Sequence, residues 1–349
     1  MLALSFCAIL LAAGPASAAG LPVIDHAPAS RALDGQELLR IGDLHAIQNH
    51  FQEAMPYYQR ALAAFRSAGN RRGEATALGS MAGLLERQGR YEDAGPLLRE
   101  AVAIWAAMAE PLAHGRALLS VGRVSEASGQ GAAAQRAYEQ AEALFQQARD
   151  REGRGEARIR LGRLLTGQDL VVEGRTLLQA ALTEARERTD RGQQVLALSA
   201  IGDGYLREGA GAAARPLFEE GLALAEAQQD LRAEAGLRAR LAGLAGEGGR
   251  SGESMAMARR ALALYQTLKD RAREAEAWAL LGSLSLAEGN FVLAAEQHER
   301  ALTLYRALRD QNKEAASLVN LALTYEAQGL RQDATETQHK AILLLQSAR

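Results

Sequence analysis

Cysteine is nearly absent: Cys7 alone occurs in 349 residues, which excludes an intramolecular disulfide framework and any multi-thiolate metal site. Proline is scarce, at 7 residues, and aromatics make up only 5%. No stretch reads as a β-rich run bounded by turns. Neither sign of charge is in excess. The formal net charge is −2, which excludes a global electrostatic attraction to nucleic acid or anionic lipid. Lysine is confined to Lys269, Lys313 and Lys340, so nearly all the positive charge is arginine. Long apolar runs are missing as well. The one candidate, Met1 to Ala13, is too short to span a bilayer as a helix. What remains is Ala, Leu, Arg and Glu, a composition that favours helix almost everywhere.

The apolar N-terminus ends at Gly14-Pro15, and Ala16-Ser17-Ala18 supplies the small-x-small pattern of a signal peptidase site. It lacks the basic residue that usually precedes such a run. Phe6 also spoils Leu4-Ser5-Phe6-Cys7 as a lipoprotein box. The expectation is a signal peptide over 1–18, cleavage near Ala18 and a periplasmic or secreted product; a cytoplasmic one follows if the segment is not a signal. Residues 19–33, with Pro22 and Pro28, read as an irregular leader.

From residue 34 the chain repeats every 40 residues. One column runs Gly42, Ala82, Gly122, Gly162, Gly202, Ala242, Gly282, Ala322; a second runs Ala54, Ala94, Ala134, Gly174, Ala214, Ser254, Ala294, Ala334. A third runs Ala61, Ala101, Ala141, Ala181, Gly221, Ala261, Ala301, Ala341. Bulky apolar residues such as Ile41, Met81, Val121 and Leu161 run beside them in the same register. Each unit reads as two amphipathic helices. A cap column (Asn70, Glu110, Asp150, Asp190, Asp230, Asp270, Asp310) opens the first helix from the second unit on. A turn column (Asn49, Gly89, Gly129, Asp169, Gly209, Gly249, Gly289, Gly329) separates the two. Pro56, Pro96 and Pro216 share a column near the start of the second helix, where a missing N–H is expected to cost little. The small columns mark where helices cross closely.

These columns resemble the tetratricopeptide repeat, in its small first-helix residue, its turn glycine and its two second-helix alanines. The 40-residue step is similar to the longer variety in kinesin light chain, Leu-Gly-Asn repeat scaffolds and bacterial CHAT-domain proteins. The resemblance covers residues 34–349. It implies an all-α fold, a right-handed superhelix of eight helix-turn-helix repeats whose first helices line a concave groove. Only Trp278 keeps the family's first-helix Trp. The Asn that follows Leu-Gly in the Leu-Gly-Asn scaffolds is replaced throughout, by Asp43, Gly83, Arg123, Arg163, Asp203, Gly243, Ser283 and Leu323, so those relatives' ligands do not carry over.

No catalytic motif is present. The six histidines (His26, His45, His50, His114, His298, His339) share no metal-ligand spacing. The glycine-rich stretch from Gly243 to Gly252 lacks a phosphate-loop Lys-Ser/Thr. It reads instead as a loosened sixth repeat. The expected function is therefore protein or peptide binding, without cofactor, metal or enzymatic activity. On the implied concave surface Arg116, Arg123, Arg160, Arg163 and Arg207 fall close together, a set of guanidinium forks suited to an acidic peptide or a chain terminus. The competing reading is a solvated face in which Glu126 and Glu156 pair with them locally. Neither nucleic acid nor a membrane is an expected partner. Two other roles stay open: the regulatory, substrate-recruiting half of a larger system such as a CHAT-type peptidase, and a self-assembling structural protein. The apolar final helix at Ala341-Ile342-Leu343-Leu344-Leu345, an array end with no polar cap, is expected to be covered by a partner, by a second copy of the chain or by a further domain.

Overall fold

The computed structural model describes residues 33–347, so the signal segment, the leader up to residue 32 and Cys7 lie outside the described residues. Among the described residues all regular structure is helical. The first repeat is α1 (Gly35–Ile47) and α2 (Phe51–Ser67), followed by α3 (Arg71–Arg87) with α4 (Tyr91–Ala107) and α5 (Pro111–Ala127) with α6 (Gly131–Gln147). Next come α7 (Arg151–Gly167) with α8 (Val171–Glu187), α9 (Arg191–Arg207) with α10 (Gly211–Ala227), and α11 (Leu231–Glu247) with α12 (Ser251–Thr267). The last pairs are α13 (Arg271–Ala287) with α14 (Phe291–Leu308) and α15 (Gln311–Ala327) with α16 (Arg331–Ser347).

From α3 onward every helix begins 20 residues after the one before it, half the sequence repeat. The turns explain this. Each consists of one left-handed residue, at positions 49, 69, 89 and so on to 329, whether or not it is glycine. The next N–H reaches back five residues, as in Asn70 N–H to Phe65 O at 2.9 Å and Asp150 N–H to Phe145 O at 2.8 Å, closing the preceding helix. Within repeats the turn residue is mostly glycine and the following helix has no side-chain cap. Between repeats it is Gly69 at the first junction, and Ala109, Arg149, Thr189, Gln229, Lys269 or Arg309, at φ of 52° to 58°, at the others. An L-residue in that conformation costs on the order of 1 kcal/mol. The compensation lies one residue later, where Asp150, Asp190, Asp230, Asp270 and Asp310 each accept a backbone N–H of the next helix. Glu110 makes no such bond, and Pro111 opens its helix instead.

The proline column needs a correction. Pro56, Pro96 and Pro216 are not at the helix start but six residues in, where an N–H would bond the carbonyl four residues back. Each therefore does remove a helical bond. The residues whose carbonyls are released, Gln52, Glu92 and Ala212, are exposed, so water replaces the lost donor.

The small columns pack as size-matched pairs between the two helices of a repeat. A Cβ placed on Gly122 would stand 2.2 Å from Cε1 of Tyr138, and one on Gly202 would stand 2.3 Å from Cε1 of Phe218. Gly42 against Tyr58 and Gly282 against His298 are similarly tight, at 2.6 Å. The bulky partners lie 16 residues after the glycines, and all four are buried. In the sixth repeat both partners are small, Ala242 and Ala258, yet α11 and α12 keep their full 17 residues.

Consecutive first helices touch (α1 with α3, α3 with α5, α5 with α7, α7 with α9, α11 with α13, α13 with α15), whereas second helices make no comparable contact with one another among the described residues. The stack therefore curves with first helices on the inside, and their exposed residues form the inner face. Between α9 and α11 the backbones approach less closely, and the link is made by side chains, Arg240 to Asp203.

His298 is the odd member of the bulky column. It is fully buried, and neither ring nitrogen has a hydrogen-bond partner. Burial lowers its pKa to about 4. The unfolded chain takes up this proton near pH 6.5, the folded chain only near 4, so stability is full above about 6.5 and falls as pH drops towards 4. The loss over that window should be about 3 kcal/mol. His298→Phe reproduces the Gly202–Phe218 pairing and should flatten this part of the profile, measured as the wild-type minus variant difference in urea unfolding from pH 7.5 to 4.5.

Candidate functional site

Four columns of the first helices face the inside of the curve. Arg116 belongs to the column of Leu196, Gly236 and Glu276; Arg123 and Arg163 belong to that of Asp203; Arg160 aligns with Arg240, and Arg207 with Arg87. All five predicted arginines thus lie on one face, across α5, α7 and α9, but in different states.

Arg123 forks onto Glu86 of the preceding repeat, at 2.8 and 3.1 Å, and also donates to Ser120 Oγ at 3.0 Å. Burial alone would lower its pKa, but the Glu86 carboxylate outweighs that and leaves it raised. Arg160 donates to Glu156 at 2.9 Å, one turn earlier on α7. Arg207 reaches Asp169 Oδ1 at 2.7 Å and the Gly167 carbonyl at 3.3 Å. Arg116 and Arg163 are exposed, and their guanidinium groups have no ion pair or hydrogen bond among the described residues. Local pairing thus takes in Glu156 but not Glu126, whose carboxylate accepts from the Tyr138 hydroxyl at 2.9 Å.

The pairs that fix the inner face share a spacing. Arg123 lies 37 residues after Glu86, Arg240 37 after Asp203 and Lys313 37 after Glu276. That is one repeat less one helical turn, the step that brings the next first helix alongside. Opposite charges at this offset are visible in the sequence, yet a search confined to one repeat misses them. Arg240 is the most firmly held, with Nε at 2.5 Å and Nη2 at 2.8 Å from the two oxygens of Asp203. Two openings sit among these pairs. One, of about 550 Å³, lies between α1, α3 and α5, and is lined by Tyr58, Gly83, Arg87 and Arg123. The other, a notch of about 180 Å³ reaching from α7 to α13, includes Arg163, Leu196, Asp203, Gly236 and Tyr265. Of the histidines, His45 stacks on Tyr57 at 5.4 Å and faces neither opening.

The architecture is that of a helical-repeat solenoid with an arginine-bearing inner face. The tetratricopeptide-repeat family model matches residues 37–107 and 73–147, which lie in the first three repeats. Among solved structures, the apo form of the quorum sensor NprR from B. thuringiensis is similar with a TM-score of 0.71, at 13% identity over 90% of this chain and 89% of that one. A Rap protein complexed with Competence and Sporulation Factor has a TM-score of 0.66, at 14% identity over 90% and 86%. BtubC (BKLC) from P. vanneervenii has a TM-score of 0.55, at 23% identity over 63% and 91%. No curated protein sequence matches the chain.

Burial separates the structural pairs from the loose ones. The Arg240 and Asp203 side chains are 30% and 36% exposed, whereas Asp169, the partner of Arg207, is 84% exposed. Asp203→Asn should destabilise the array by about 2 kcal/mol, because Arg240 is left half-paired in a confined place. Asp169→Asn should change stability by less than about 0.5 kcal/mol. Thermal unfolding of the two variants side by side checks the difference.

Proposed function

We propose that the chain is a non-catalytic scaffold that binds an extended, acidic protein segment along the inner face of its solenoid. The observation that carries this reading is the pair of unpartnered arginines, Arg116 on α5 and Arg163 on α7, on a face where the neighbouring charges are fixed by carboxylates of the chain itself. A free guanidinium costs the protein no internal pair when it binds a carboxylate, so its fork is available to a partner at full value. Curvature assists, because a concave face lets one segment touch several repeats at once. The similar Rap protein was solved with a bound factor, which accords with this use of the fold. Export to the periplasm or beyond is part of the proposal and rests on residues 1–18 alone. Among the described residues no helix is long and apolar enough to cross a membrane.

A second reading, self-association, is favoured by α16. Ile342, Leu343 and Leu345 are 46%, 52% and 45% exposed there, and no further helix packs on its outer side among the described residues. Such a patch is a common mark of an interface.

Two experiments follow. A fluorescent 12-residue peptide of alternating Leu and Glu, acetylated and amidated, should bind the wild type with an affinity that falls as salt rises. Arg116→Glu together with Arg163→Glu should weaken it more than about tenfold at unchanged helicity. Unaltered or salt-insensitive binding would leave only a solvated face. For self-association, light scattering over a concentration series should show mass growth that Leu345→Glu abolishes; a monomer indifferent to that change removes the reading.

A further inference from the structure

Between α9 and α11, where Arg240 bridges to Asp203, the inner face holds a notch built from unusual parts. Its floor includes Tyr265, on α12, which is 4% exposed. The Tyr265 hydroxyl has no hydrogen-bond partner, although Tyr58 and Tyr138 bond Asp43 and Glu126 at 2.8 and 2.9 Å. Burial raises the pKa of Tyr265, with Arg273 and Arg240 acting in the opposite sense, so the phenol stays protonated and presents a donor. Arg163, unpaired, forms one rim of the notch. Arg232 and Arg273 form another, held only by loose contacts of 3.3 Å to Asp270 and 3.2 Å to Glu276. Half-exposed Leu196 supplies an apolar wall.

The next repeat shows what the notch lacks. Forty residues on, Tyr265 becomes Tyr305, Arg273 becomes Lys313 and Gly236 becomes Glu276. There Lys313 lies over the Tyr305 ring at 5.8 Å, and its Nζ bonds the Glu276 carboxylate at 2.5 Å. Lys313 thus links the ring of Tyr305 to the Glu276 carboxylate, while the Tyr305 hydroxyl, like that of Tyr265, makes no hydrogen bond among the described residues. In the notch the cation and the phenol are present, but glycine stands where the carboxylate arises. A Cβ on Gly236 would lie 3.8 Å from the Tyr265 hydroxyl oxygen and 3.3 Å from Nη1 of Arg240, so only the movable end of the Arg240 side chain borders the place where Glu276 grows from its own helix. The two carboxylates that line the notch, Asp203 and Asp270, are engaged by Arg240 and Arg232, so among the described residues none takes the place of Glu276.

We propose that the notch is the anchor point of the bound segment, receiving an acidic side chain of the partner between Tyr265, Arg273 and Arg163, where the neighbouring repeat uses its own Glu276. This rests on the inner-face reading above and narrows it: the partner carries a Glu or Asp next to an apolar residue that lies on Leu196. The apolar neighbour excludes water from the charged contact, which strengthens it.

The Leu/Glu peptide described above provides the test, alongside the same peptide with Gln for Glu and a Leu/Gln peptide with a free carboxy terminus. The wild type should prefer the Glu peptide over both by about tenfold. Gly236→Glu supplies the carboxylate from within and should erase that preference, whereas Gly236→Ala should keep it. Tyr265→Phe should reduce it several-fold at unchanged circular dichroism. If Gly236→Glu leaves the preference intact while Arg116→Glu removes it, the inner face binds but the notch is not its anchor, and the inference is overturned alone. Equal binding of the free-terminus peptide, lost in Gly236→Glu, would replace the side chain with a chain end and overturn it too. No binding of any peptide to the wild type would remove both readings.

Discussion

Everything in this array hangs on how closely the two helices of a repeat can cross. Where the first helix has glycine, the second sends a ring or a long side chain into the space a methyl group would fill, as Tyr138 does at Gly122 and Phe218 at Gly202. Neither member is independently replaceable. Enlarging the glycine drives Cβ into a ring, and shrinking the ring leaves a cavity on a bare backbone. Alanine tolerates a smaller partner, as in Ala82 with Leu98 and Ala242 with Ala258, so the column varies in matched pairs and the repeat-to-repeat geometry is preserved. The inner face inherits its regularity from this constraint, since the helices that carry it are all seated the same way.

Given that seating, charge decides what the inner face can do. Arg123, Arg207, Arg240 and Lys313 each meet a carboxylate from the preceding repeat, whereas Arg116 and Arg163 meet none among the described residues. Arg123 with Glu86 and Arg240 with Asp203 do this with two-point geometry, acting as staples between repeats as much as surface charges. A few substitutions in a repetitive surface thus separate structural arginine from available arginine, and composition alone cannot tell them apart.

The fold was legible because its determinants are columns of small residues at a fixed step, a signal that survives wide variation elsewhere. The alternation of two helices per repeat was legible too, from the cap and turn columns, but not the left-handed residue between repeats, since Ala109, Arg149 or Thr189 do not announce one. Their Asp caps are visible, but the strain they offset is not. For the site, column arithmetic places all five arginines on one face. It could not show that Arg123, Arg160 and Arg207 are occupied, because two of the three partner carboxylates sit in the repeat before. The notch escaped because it is made by something missing: Gly236 reads in sequence only as a helix-weakening residue, and its meaning appears beside Glu276 in the finished stack.

The uniform turn has a consequence for how such a chain can grow. Every junction closes the helix behind it and launches the next with the same backbone, so a gene duplication in steps of forty residues adds a repeat without disturbing any neighbour. A slip of twenty would also produce sound turns and a full-length helix, yet it would present an outer helix to the inside of the curve. The glycine column would then face alanines instead of rings, and every interrepeat ion pair beyond the slip would lose its register. The backbone alone does not forbid that error; only the side-chain pairs do. They therefore carry the chain's memory of which helix belongs inside.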